Sequence, residues 1–151
     1  MKPAPLALFN YFVEQLTFSA NIAFDPDKPI TLDLTDLRIT SRVNAVKRAD
    51  REVWEICLQV VQNVPEDKNA PYNFSIVLIG HFEVDATVPA DRHRWLVETN
   101  GRSILYGTCR EVIRATTAQG PYQPLLLPTL SFYENQQDQA PTARVAEEAP
   151  R

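Results

Sequence analysis

Few residues in this chain have a type and spacing that could do chemistry. The histidines are His81 and His93, and the cysteines are Cys57 and Cys109. A zinc site needs three or four such ligands at short, regular spacings. Neither histidine has a second His or Cys at ligand spacing, so no metal is expected. Cys57 and Cys109 read as buried, reduced thiols, one in a strand and one on a helix. Ser103 and Ser131 lack a nucleophile-elbow context and an evident base. The four glycines form no phosphate-cradling loop. Arg110 and Glu111 read as a charge pair on a helix, since a catalytic glutamate would need an acid or base partner. The expectation is a protein that binds, without enzymatic activity or cofactor. The alternative from another class is a small-ligand binding protein or enzyme using a crevice between sheet and helix. It would require a pocket with convergent polar groups.

A chain of 151 residues suffices for one domain with its own core. The net charge of -4 and pI near 5.2 weigh against nucleic acid, whose phosphates ask for a basic face. The opening MKPAPLALFN holds two prolines and lacks the long apolar stretch of a signal peptide. No run approaches the ~20 apolar residues of a membrane span. A cytoplasmic protein without membrane insertion is expected.

The elements that would position any binding surface follow from periodicity. Residues 6–24 alternate aromatic and aliphatic side chains and predict a long first strand. Phe12, Leu16, Phe18, Ala20, Ile22 and Phe24 share one parity, and Phe9, Tyr11 and Val13 the other. These aromatics suit a core or a groove and interface. A turn at 25–29 leads to a second strand starting with Ile30, Leu32 and Leu34. Its apolar parity then switches to Leu37, Ile39 and Val43, which predicts a bulge near Asp36. A charged turn over 47–51 precedes a third strand through Trp54, Ile56, Leu58 and Val60. A polar loop over 65–71 precedes a fourth through Tyr72, Phe74, Ile76, Leu78 and Phe82.

Helices come only afterwards. The predicted class is α+β: a four-stranded antiparallel β-meander followed by C-terminal helices packed on one face. Asp91 can cap a short helix that Asn100-Gly101 would end, and a second helix is predicted over 102–119. Residues 122–132 read as a proline-ruled extended connector. The predicted division is a folded domain over 1–133 and a flexible tail over 134–151. Several strands are apolar on both faces while the helices cover only one. Oligomerisation or binding on the other face is the physical expectation.

Residues 100–132 carry the most specific pattern. Ser103-Ile104-Leu105-Tyr106 leads to Cys109-Arg110-Glu111. Gly120-Pro121-Tyr122 and Pro124 follow, then Leu125-Leu126-Leu127-Pro128 and Ser131-Phe132. This resembles the SecB export chaperones, in which an Asn-Ile-Leu-aromatic step enters an Ala-Arg-Glu helix. There a Gly-aromatic-Pro turn, leucines, a proline and Asn-Phe come next. Tyr11 to Phe18, Ile30 to Leu34, and Gly80 with Phe82 are similar to the family's first, second and fourth strands. The resemblance implies an α+β protomer that assembles as a homodimer or homotetramer. It implies a holdase that binds unfolded polypeptides or preproteins in apolar grooves, without ATP, and hands them to SecA for export. By position, the groove-lining residues it implies are Ile30, Leu32 and Leu34, with Phe82 and Phe132. The acidic positions of the SecA-docking face fall here on Gln15, Ser19 and Ser75, none of them charged; Glu14 beside them is expected to point to the opposite face. The family also includes SecB-like chaperones dedicated to toxin–antitoxin pairs, which makes an antitoxin the alternative client.

Overall fold

The computed structural model describes residues 1–2 and 4–133. Four antiparallel strands form one sheet: β1 (Leu6–Ala20), β2 (Leu37–Arg48), β3 (Arg51–Gln62) and β4 (Tyr72–Val84). Their spatial order is β1-β4-β3-β2. The α+β class therefore holds, but the meander covers only β2, β3 and β4. β1 lies at the far edge against β4, because residues 21–36 cross the end of the sheet instead of turning back in a hairpin.

The middle strands obey simple alternation. Trp54, Ile56, Leu58 and Val60 of β3 and Tyr72, Phe74, Ile76, Leu78 and Phe82 of β4 are buried on one face. On β1 the parity is broken. Bulges between Leu8 and Asn10 and between Val13 and Gln15 each insert one residue. Leu6 and Leu8, then Tyr11 and Val13, then Leu16, Phe18 and Ala20 thus take the same face by register. Phe12 lies opposite Ile79 and points to the other face. The predicted single-parity set, with Phe12 in it, is corrected accordingly.

The second strand begins later than predicted. Ile30 to Asp33 belong to no strand, and Leu34–Asp36 is a single 3-10 turn before β2. That turn, not a bulge, switches the parity. β2 and β3 pair as far as Arg48 and Arg51, so their turn is only Ala49 and Asp50, with Ala49 in the left-handed region at φ 48°.

The helical part is one continuous rod: α1 (Ala90–Leu96), a π-helical turn (Val97–Gly101) and α2 (Arg102–Thr117). Asn100-Gly101 does not stop it. Gly101 keeps right-handed angles of φ -62° and ψ -44°. A Cβ there would meet Ile56 Cδ1 at 2.7 Å, so the glycine serves close approach to the sheet. Gly80 does the same from the sheet side, where a Cβ would meet Leu105 Cδ1 at 2.9 Å. Pro89, not Asp91, precedes the first turn of α1. Leu105, Tyr106, Cys109, Ile113 and Thr117 face the sheet, while Ile104 is exposed. No helix among the described residues is long and apolar enough to cross a membrane. The predicted tail over 134–151 lies outside the described residues.

After α2 the chain runs extended. Tyr72, at the start of β4, anchors it. The Tyr72 hydroxyl accepts from the Tyr122 amide at 2.8 Å and lies 2.9 Å from the Tyr122 carbonyl and 3.2 Å from the Thr117 carbonyl. Replacing this fully buried tyrosine by phenylalanine leaves the Tyr122 amide without this acceptor and one carbonyl without the hydroxyl proton; the Thr117 carbonyl still accepts from the Gly120 amide at 3.0 Å. Tyr72→Phe should cost about 1–3 kcal/mol. Chemical denaturation of the two proteins under the same conditions measures it, and an unchanged midpoint would show that the anchor contributes nothing.

Candidate functional site

The residues best suited to chemistry are spent on structure. His81 pairs with Glu55 at 3.2 Å, and His93 Nε2 lies 2.9 Å from the Val88 carbonyl. No group of three His, Cys, Asp or Glu among the described residues is placed to hold a metal ion. Cys57 and Cys109 are free thiols, and burial pushes Cys109 up to about 12. Arg110 does not pair with Glu111. Its Nε–H donates to the Leu127 carbonyl at 2.9 Å, and Glu111 pairs with Arg114.

What remains is an open, largely apolar cleft of about 610 Å³ at one corner of the sheet. One wall is Ile30, Leu32, Leu34 and Leu37, where the crossover enters β2. The other is the run from Gln123 to Pro128, and Asp33, Gln62 and Pro71 complete the lining. Leu34 is 61 % exposed and Leu126 is 66 % exposed, so both walls show an uncovered leucine. An isolated exposed leucine needs no explanation, but two lining one concavity do.

Each wall is held by polar bonds. Residues 21–36 rest on the β3–β4 loop. The Asn69 side chain accepts from the Asp25 amide at 2.9 Å and donates to the Asp25 carbonyl at 2.9 Å. The Asn69 amide donates to Thr31 Oγ1 at 2.7 Å, and the Thr31 amide returns to the Asn69 carbonyl at 3.0 Å. Asp33 and Asp36 form a reciprocal cap on the 3-10 turn, and Lys68 Nζ reaches them at 3.0 and 2.7 Å. The hydrogen bond from the Thr35 hydroxyl, then those from Lys68 and the Thr35 amide, hold the Asp33 carboxyl down at about 2. On the opposite wall, Leu125 donates to Thr117 Oγ1 at 2.8 Å, and the Tyr106 hydroxyl donates to the Pro128 carbonyl at 2.9 Å.

Of the predicted groove residues, the structure brings Ile30, Leu32 and Leu34 together. Phe82 is fully buried near the other end of β4, opposite Trp54, and lines no part of the cleft. Phe132 packs edge-on against Tyr106, with ring centres 5.7 Å apart, and is also outside the lining. Sequence reasoning missed Leu37, Pro71 and the wall from Gln123 to Pro128. The signal for that wall was available. An extended chain alternates its side chains, so three leucines in a row must turn one outward. Leu125 and Leu127 are buried and Leu126 is not.

The family model described as preprotein translocase subunit SecB matches residues 6–140. A search of curated proteins finds no match. Among solved structures, one similar chain is a SecB-like chaperone of Mycobacterium tuberculosis in complex with a ChAD peptide from the HigA1 antitoxin. It is 16 % identical, with a TM-score of 0.49, over 84 % of this chain and 91 % of that one. Another is a protein of unknown function from Streptococcus agalactiae, 16 % identical with a TM-score of 0.44, over 82 % of this chain and 96 % of that one.

The lip formed by the 3-10 turn carries a pH signature. A carboxyl lowered from 3.8 to about 2 on folding adds stability that is fully present above 3.8 and lost as pH falls toward 2. An NMR titration should place the Asp33 midpoint near 2, with the Thr35 amide and Lys68 side-chain signals moving in step. A midpoint at the ordinary value would show that the lip is not held this way.

Proposed function

The chain belongs to the SecB family of chaperones, which are not enzymes, and from that premise we propose that its cleft holds extended, apolar segments of unfolded polypeptides. The observation that carries this reading is that two exposed leucines, Leu34 and Leu126, line the same largely apolar cleft of about 610 Å³. Covering one such side chain contributes about 1.5–3 kcal/mol, and several of a client's alternate residues could be covered at once. Contacts of this kind demand little shape, so many sequences fit. Holding without ATP follows from an open site that needs only burial to fill and exchange with solvent to empty. Preproteins kept unfolded for export are clients of this kind, and such work places the protein in the cytoplasm.

One observation favours a narrower client range, a toxin–antitoxin system's antitoxin among the candidates. Gln15, Ser19 and Ser75 lie on the sheet face opposite the helices by register, and none is charged. Glu14 is the extra residue of the second bulge. A motor such as SecA, recognising acidic groups at those three positions, would find none.

A second copy of the chain is the natural cover for β1. This strand is 15 residues long and lies at the sheet edge, and Phe9, Tyr11, Phe12 and Val13 on it are exposed. A long apolar edge left open is an aggregation hazard, and pairing removes it.

The protein should suppress aggregation of a chemically denatured client at near-stoichiometric amounts. Leu34→Asp with Leu126→Asp should weaken client binding roughly tenfold or more per leucine while leaving the fold intact. Light scattering and a labelled unfolded client read this, and full suppression by the double variant would remove the cleft from the mechanism. Sedimentation should give a dimer or a dimer of dimers, and Tyr11→Lys with Val13→Lys should shift it to monomer. A wild-type monomer would refute pairing along β1.

A further inference from the structure

The second edge of the sheet has a different character. β2 pairs only with β3. Apart from the Leu37 amide, which caps the 3-10 turn on the Leu34 carbonyl, no backbone group of residues 37–48 takes part in a turn, loop or cap hydrogen bond among the described residues. Its outer row of N–H and C=O groups is therefore open along the strand. By register, Arg38, Arg42 and Arg48 share the face opposite the helices, and all three are exposed. Among the described residues no carboxylate lies within salt-bridge distance of any of them. Of the nearby cations, Arg51 pairs with Glu83 and Lys68 with Asp33 and Asp36, and Lys47 takes the helix-side face by register. In a chain of net charge -4, three uncompensated arginines in one row form a local field of opposite sign. Beside the middle arginine a shallow depression of about 380 Å³ opens between Thr40, Arg42, Cys57, Gln59 and Val77.

We propose that the free edge of β2 takes an acidic, extended segment of a partner polypeptide as a fifth strand, with Asp or Glu side chains set against Arg38, Arg42 and Arg48. Backbone hydrogen bonds to an open edge are available to any extended chain, and side chains choose among them. The choice here is electrostatic. Residues directly opposite in an antiparallel pair have Cβ atoms about 4.5–5.5 Å apart, well within the reach of an arginine. The three arginines are spaced by even numbers of residues, so acidic groups at alternate positions of the incoming strand all meet the basic row. At ~3.3 Å per residue the row spans about 33 Å. A contiguous acidic run would turn half its charge to the helix side, where Ile39 and Val43 lie. A nucleic acid could meet the charges but could not add to the ladder. This surface stands apart from the cleft, whose lining includes only Leu37 of β2, and so the proposal goes beyond the chaperone reading.

The test uses two labelled synthetic peptides of identical composition. In one, glutamates alternate with threonine and valine; in the other, they are contiguous. Fluorescence anisotropy against the full chain at about 0.15 M ionic strength should show the alternating peptide binding at least roughly tenfold more tightly. Arg38→Gln with Arg42→Gln and Arg48→Gln should abolish that preference, and the single Arg42→Gln variant should reduce it in case the triple variant folds poorly. Client suppression by these variants should remain intact, which separates this proposal from the cleft. Equal affinity for the two peptides, or undiminished preference in folded variants, would overturn it. So would competition by a single-stranded oligonucleotide as effective as the alternating peptide, which would identify a general polyanion surface. Absence of binding to either peptide would leave the arginines as mere guards of the edge.

Discussion

The backbone of the segment after α2 cannot satisfy itself, and the cleft depends on that. Pro121, Pro124 and Pro128 remove three donors and bar both a helix and a regular ladder. Buried polar backbone must nevertheless be paired. Side chains supply the partners: Tyr72 from the sheet, and Thr117, Arg110 and Tyr106 from α2. The outer wall of the cleft is therefore an extension of the helix–sheet contact. That contact is close only because Gly80 and Gly101 leave room for Leu105 and Ile56. A disturbance beneath the helix would reach the cleft through these bonds.

The two edges of the sheet handle the same liability by different chemistry. β1 spends two bulges, which twist the strand and place aromatic and aliphatic groups on both faces. Phe9 and Phe12 lie beside His81, with ring centres 6.1 and 6.3 Å away, and Arg51 sits 5.4 Å over the Phe9 ring. Such a surface gains by being covered with more apolar surface. β2 keeps a regular alternation and one basic face, so what it can accept is constrained by charge. An edge that repels its own kind and one that welcomes it can coexist in one sheet without open-ended association.

Alternation was legible wherever a strand has neighbours on both sides. β3 and β4 are central, their inward residues are even-numbered throughout the core-facing runs, and the pattern predicts them directly. It fails at the edges. Bulges in β1 leave no compositional trace, because both parities were already apolar. Ile30, Leu32 and Leu34 alternate as a strand does, yet Thr31 bonds to Asn69 in a loop and the 3-10 turn intervenes before any ladder begins. Period two reports an extended chain, not a paired one. Asn100-Gly101 has the composition of a helix stop, but a glycine chosen for contact with Ile56 looks the same in sequence. Phe82 and Phe132 lie outside the lining of the cleft for a related reason: large aromatic side chains serve equally well as core, and only packing tells the uses apart.

An apolar cleft of this size should close on itself unless something opposes it. Bringing Leu34 onto Leu126 would remove exposed surface from water and contribute on the order of 2 kcal/mol or more. Closure would require the 3-10 turn to leave Lys68, or the connector to leave Thr117 and Arg110. Departure of the connector strands the buried Leu125 amide, at about 1–3 kcal/mol, whereas the solvent-facing Lys68–Asp33 pair would be rehydrated. The polar tethers oppose the apolar attraction between the two walls. In the proposed function a client would reverse that balance without breaking a tether, by bringing its own apolar side chains to both walls. Binding of this kind would need no motion and no nucleotide, since what the cleft lacks is only something to cover its leucines.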